Sequence, residues 1–207
     1  MNEIDVHVLH LPGENQEWAD QCARSLVDEP INVFNLDGIY GDIRQARYEG
    51  YKQGTAPYVS FVDPDDFVHP GAFQVCLDAI KGTEYGGVYT TSYVDNEDGT
   101  KCLIHPYRQW TPRLQYSNFC EIHQLAVMRR DLVLQIFEQF YNEMPLVVYH
   151  EAYTYMQLSM ISNWKAVDFN GYTWRKRKTG CHATFPTCFS KYLTKIRREF
   201  VEFHQIR

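Results

Sequence analysis

Three carboxylates crowd into four residues at Asp63-Pro64-Asp65-Asp66. Acids this close repel one another and cost stability unless a cation or strong hydrogen-bond donors neutralise them. Two readings follow. In one, a hard divalent ion, Mn2+ or Mg2+, takes these oxygens and shares them with the phosphates of a ligand. In the other, the cluster is an acidic turn, with Asp66 heading the next helix. A further acid, Asp37, stands before Gly38 at the close of another apolar run. The acidic stretch Asp95-Asn96-Glu97-Asp98-Gly99 fails the calcium-loop spacing and reads as a solvated hairpin turn. The six cysteines form no CxxC pair, which suits reduced thiols in a cytoplasmic chain better than a disulfide framework.

The elements that must position these acids are legible upstream of them. Ile4, Val6 and Val8 alternate with Asp5 and His7, predicting a first strand that Pro12-Gly13 breaks. Trp18, Cys22 and Leu26 recur every four residues in a helix that Pro30 ends. A second strand covers 31–36, a second helix lies within 41–54 and a third strand covers 58–62, stopping at the acids. Pro70 fits the first turn of a third helix carrying Phe73, Leu77 and Ile80. Strand and helix alternating three times in 80 residues predict a parallel sheet with crossover helices. Ligands of such sheets bind beyond the carboxyl ends of the strands, where Asp37 and the acidic cluster fall, and this favours the metal reading.

The second half is less regular. It reads as strands over 88–94 and 122–128, a long aromatic loop over 104–120, and helices over 131–141 and 150–161. Two strands over 164–169 and 172–178 follow, then an amphipathic helix over 191–206. No run approaches the roughly 20 apolar residues of a membrane span, and no secretory signal is visible.

The stretch Gly41, Ala46-Arg47, Gly50, Gly54, then Tyr58-Val59-Ser60-Phe61-Val62 closing on the acids, resembles the core of the family 2 glycosyltransferases with the GT-A fold. The resemblance is clear over 4–80 and traceable to residue 184. It implies one α/β domain over 1–207, Rossmann-like, with a mixed, mainly parallel sheet flanked by helices. Residues 1–100 would form the nucleotide-sugar half, 101–185 the acceptor and catalytic half, and 186–207 a basic C-terminal helix.

Carried over by position, Asp37 matches the acid that reads the nucleotide base, while Leu9 and Pro12 match the end of the first strand that lines its pocket. His10 and Leu11 replace the family's usual residues there. Arg47 matches the helix arginine near the nucleotide. Asp63 and Asp65 match donor-binding acids, with Asp65 near the ribose, and Asp66 matches the acid that holds the metal, beside Asp65. The family's base opens a helix. Counting back from Leu158 gives Glu151 that place, with His150 as the alternative. Arg175 and Arg177 would balance the leaving diphosphate, and His182 would be a further metal ligand. Tyr107, Trp110 and Tyr116 would sit over the acceptor.

The implied reaction is inverting transfer from a nucleoside-diphosphate sugar, UDP favoured, to a hydroxyl of a saccharide, a lipid or a hydroxymethylated base in bacteriophage DNA. The chain would then work in the cytoplasm, the host's if phage-encoded. A sugar-phosphate nucleotidyltransferase is the rival enzyme, but 9–15 lacks the glycine-rich basic loop it needs. A non-catalytic nucleotide-sugar-binding module is the other alternative. The formal net charge of -6 argues against a nucleic-acid partner on its face. It conceals an uneven split, because residues 174–207 hold 9 Lys/Arg against 2 Asp/Glu.

Overall fold

The computed structural model describes residues 2–96, 98–146, 149–176 and 189–206, by backbone alone at 104–105 and 189–193. The predicted alternation opens it: β1 (Ile4–His10), α1 (Gln16–Leu26), β2 (Ile31–Asp37), α2 (Ile43–Tyr51), β3 (Tyr58–Val62), β4 (Phe67–Val68) and α3 (Ala72–Ile80). The remainder is β5 (Gly87–Asn96), β6 (Lys101–His105), α4 (Pro112–Ser117), β7 (Ala126–Arg129), α5 (Arg130–Phe140), α6 (His150–Ile161), β8 (Trp164–Lys176) and α7 (Phe189–His204).

One mixed sheet runs through both halves in the order β2-β1-β3-β7-β5-β8-β4, with β6 also on β5. The long ladders, β1–β2, β1–β3 and β5–β8, are parallel. Short antiparallel ladders of β7 on β3 and β5 join the two parallel groups. Alternation along β3 assigns the faces. Tyr58 and Val62 pack with Cys22, Leu26, Phe73 and Ile80 of α1 and α3. Val59 and Phe61 pack with Tyr51, Ile136, Phe137, Tyr155, Ile196 and Phe200 of α2, α5, α6 and α7.

Several expected boundaries move. Pro70 precedes α3 instead of entering its first turn. Gly71, at φ +82°, caps the helix, and the buried Glu29 carboxylate accepts the N–H groups of Gly71 (2.5 Å) and Phe73 (2.9 Å). The aromatic loop holds α4, whose N-cap Thr111 accepts from the Leu114 N–H at 3.1 Å. The two expected final strands are the single strand β8. Its register shifts beside Gly171, where a Cβ would lie 2.4 Å from Thr90 Oγ1.

A buried ion pair locks the frame beneath the acids. Asp5, 3% exposed, accepts from Arg130 Nη2, from the Ala56 N–H at 2.8 Å and from Asn32 Nδ2 at 2.7 Å. Arg130 also donates to the carbonyls of Tyr51 (2.5 Å), Gln53 (2.8 Å) and Ala56 (2.6 Å). The start of α5 therefore holds the end of α2 against β1 and β3. Removing one partner strands a buried charge, so Asp5→Ala should cost about 3–5 kcal/mol of stability in urea unfolding. A loss below about 1 kcal/mol, the worth of an exposed pair, would show that the network does not hold the frame.

Candidate functional site

The carboxyl ends of β1, β2 and β3 lie side by side, because the three strands are parallel and in register from Ile4 onward. His10 and Asp37 are register partners at the ends of β1 and β2. The Gly38 N–H donates to the His10 carbonyl at 2.7 Å. The His10 ring meets Glu14 Oε1 at 2.7 Å and Asn35 Oδ1 at 3.0 Å. Partial burial pulls the His10 pKa down. Those two contacts and the charges of Glu14 and Asp37 outweigh it, so the net shift is upward. Asp37 and Pro12 are exposed, and Leu9 is buried.

Helix α2 packs close on β1. At Gly50 a Cβ would lie 2.4 Å from the His7 ring, so glycine is what allows the approach. This depth puts Arg47, one turn earlier, entirely out of solvent. Its guanidinium lies 3.5 Å over the Phe61 ring. It donates to Asp63 Oδ1, and its Nε stands 3.5 Å from Glu151 Oε1. Nη1 has no hydrogen-bond partner among the described residues. The resemblance set Arg47 beside the nucleotide. The structure buries it, bridging the end of β3 and the start of α6.

Glu151 is 21% exposed at its side chain. Burial raises its pKa, Arg47 opposes the shift and Asp63 adds to it, with the net direction upward. The preceding residue, Tyr149, holds a φ of +63°, a left-handed conformation costly for a tyrosine, and it turns the chain into α6. His150, the alternative base, points elsewhere. It is 1% exposed, packs on Phe137 at 5.3 Å and meets the Pro145 carbonyl at 3.3 Å. Burial and the Arg47 charge lower its pKa to about 3, so it stays neutral.

The acidic turn divides into three environments. Asp63, 31% exposed at its side chain, takes Arg47 and, at 3.4 Å, Gln124 Nε2. Asp65 is half-buried. Asp66 has no exposed surface, and its oxygens accept from the Tyr172 hydroxyl (2.8 Å) and the Arg175 N–H (2.7 Å). Burial, then the Asp65 and Asp63 charges, push it well above the usual carboxylate range. The metal role expected of Asp66 does not fit this sealed position, and Asp66 does not head the next helix either, since Gly71 caps α3.

Arg175 lies beside the turn, donating to the Asp65 carbonyl at 2.6 Å and to Gln21. Its guanidinium is therefore partly committed to the fold. Arg177 and His182 lie outside the described residues. Among the described residues, no three His, Cys, Asp or Glu side chains stand together as a metal cage.

The aromatic trio separates. Tyr107 is exposed. Trp110 is a core residue, 6% exposed, with its indole N–H on Gln115 Oε1 at 3.0 Å. Tyr116 is stacked under the Arg197 guanidinium of α7 at 4.7 Å. Sequence reasoning missed Tyr172 and Gln124, neither of which carries a local signal. The segment 118–124 adjoins the two acids. That segment carries Cys120, whose thiol is pushed up to about 11 by burial and by the Glu151 charge, and Gln124, which touches Asp63.

Among solved structures, the 1–349 fragment of TarS from S. aureus in complex with UDP-GlcNAc superposes with a TM-score of 0.67 at 14% identity, covering 98% of this chain and 72% of that one. The same fragment in complex with UDP gives 0.63 at 11%, covering 97% and 65%. A structure of S. aureus TarS gives 0.63 at 13%, covering 97% of this chain and only 39% of that one. Identities this low speak for the shared GT-A fold alone. No curated protein matches the chain. The sequence model of glycosyl transferase family 2 matches residues 15–137, more than half of the length. The chain belongs to glycosyl transferase family 2.

Proposed function

We propose that the chain transfers a sugar from a UDP-sugar to an acceptor hydroxyl, with inversion at the anomeric carbon. One observation carries this reading: Asp63 and Glu151 are held on a single buried guanidinium at the carboxyl edge of the parallel strands. UDP as the nucleotude carrier is supported by TarS, whose structures were obtained with UDP-GlcNAc and UDP. The His10–Asp37 end of β1 and β2 is the surface we assign to the base.

Glu151 acts as general base. It takes the acceptor proton as the acceptor oxygen bonds to the anomeric carbon, and the bond to the diphosphate breaks with its electron pair leaving on UDP. Partial burial suits this role, because a carboxylate lifted above its ordinary pKa is a stronger base. Arg47 orients Glu151 and keeps enough of it ionised.

Carboxylate and diphosphate oxygens are a hard donor set that fits Mg2+ or Mn2+. This reading gives the protein's ligation to Asp65, the half-buried acid in the middle of the turn. The ion, when bound, supplies charge neutralisation for the leaving diphosphate. In this reading His182 is a second ligand and Arg177 a cation near the same phosphates. The acceptor is the hydroxyl of a saccharide, a lipid or a modified DNA base, and mass spectrometry of glycan and DNA fractions after reaction separates them.

Three outcomes follow. Glu151→Gln should lower kcat by about 10²–10⁴-fold with donor affinity nearly unchanged, measured by UDP release and by UDP binding. A kcat within a few-fold of wild type would remove Glu151 as the base. The base works only when deprotonated and its pKa is raised, so kcat/KM should fall as pH drops through a value above the ordinary glutamate range. That acid limb should vanish in Glu151→Gln. Asp65→Asn should abolish the response of UDP binding to Mn2+, and an unchanged response would move the ion elsewhere.

A further inference from the structure

The acidic turn is not self-supporting. Its internal backbone bond is Asp66 N–H to the Asp63 carbonyl at 3.0 Å. Arg47 and Gln124 hold the Asp63 carboxylate, and further support comes from β8. The Tyr172 hydroxyl donates to Asp66 Oδ2 at 2.8 Å and accepts from the Asp63 N–H at 3.3 Å, so one oxygen joins both ends of the turn. Three residues on, the Arg175 N–H holds Asp66 Oδ1 at 2.7 Å, and its guanidinium holds the Asp65 carbonyl at 2.6 Å. Tyr172 itself is fully buried and fixed between two ladders, opposite Ser92 of β5 and Val68 of β4.

We propose that Tyr172 is a positioning residue of the donor site: its hydroxyl, with Arg175, sets the turn so that Asp65 meets the ion carried by the nucleotide diphosphate. The proposal rests on the donor reading above and adds to it the group that shapes the turn. A phenylalanine at 172 would fill the same volume and leave both ladders intact. It would leave the Asp63 N–H and Asp66 Oδ2 without that partner, and the turn would relax to satisfy them elsewhere. Asp65 sits between those two points, so its carboxylate should lose its placement.

The test is calorimetric titration of the full chain with UDP, in Mn2+ and in EDTA, for wild type and Tyr172→Phe. Wild type should bind UDP more tightly with Mn2+. Tyr172→Phe should lose about tenfold in affinity with Mn2+, the size expected for one buried hydrogen bond, and change little in EDTA. Wild-type affinity in Mn2+, or an equal loss in both buffers, would overturn the positioning role while leaving the donor reading in place. A wild type that binds no UDP would overturn both. Should Tyr172→Phe fail to fold, Arg175→Met removes the bond to the Asp65 carbonyl and should show the same Mn2+-restricted loss. Unchanged Mn2+-dependent affinity in Arg175→Met would then overturn the proposal.

Discussion

A guanidinium with no solvent contact has to be matched by carboxylates, and Arg47 is matched by two that lie far apart in the chain. An unpaired charge at that depth costs several kcal/mol, so the fold and the pairing arrive together. The close approach of α2 to β1 at Gly50 buries Arg47, and the aromatic face of Phe61 fills the space beneath it. Asp63 comes from the end of β3 and Glu151 from the first turn of α6, so the pairing also fixes how the second half docks on the first. The same burial that demands the pairing lifts the pKa of Glu151, which ties the acidity of this carboxyl to the packing of a core.

Strand β8 organises the other side of the turn. Tyr172 and Arg175 hold Asp63, Asp65 and Asp66, Thr173 meets His69 at 2.8 Å, and the Trp174 ring faces His123 at 6.0 Å. Gly171 makes this reach possible by letting the strand shift register against Thr90 of β5. The site is thus clasped between a buried cation on one face and an extended strand on the other.

The first 80 residues were legible because their signals are local. Apolar alternation in β1, the solid apolar run of β3 and four-residue spacing in α1 each declare an element without tertiary help. Helix α6 was also read to its observed ends. The misses share a cause. Strand β4 has two residues and α4 has six, too few for a period to show. Asp66 and Tyr172 are 106 positions apart, so nothing near Asp66 says that it is sealed. Residue type alone could not separate exposed Tyr107 from buried Trp110, since an indole with a partner for its N–H is at home in either place. The basic end was visible as charge, yet in α7 part of it serves the fold: Lys195 pairs with Glu143, and Arg197 covers Tyr116.

A 13C NMR titration of the Glu151 side-chain carboxyl, in wild type and in folded Arg47→Met, reads the shared guanidinium most directly. The wild-type carboxyl should titrate above the ordinary glutamate range. Loss of the guanidinium should move it higher still, because the largest influence opposing burial and Asp63 would be gone. A wild-type carboxyl with an ordinary pKa, or one indifferent to Arg47→Met, would contradict the account.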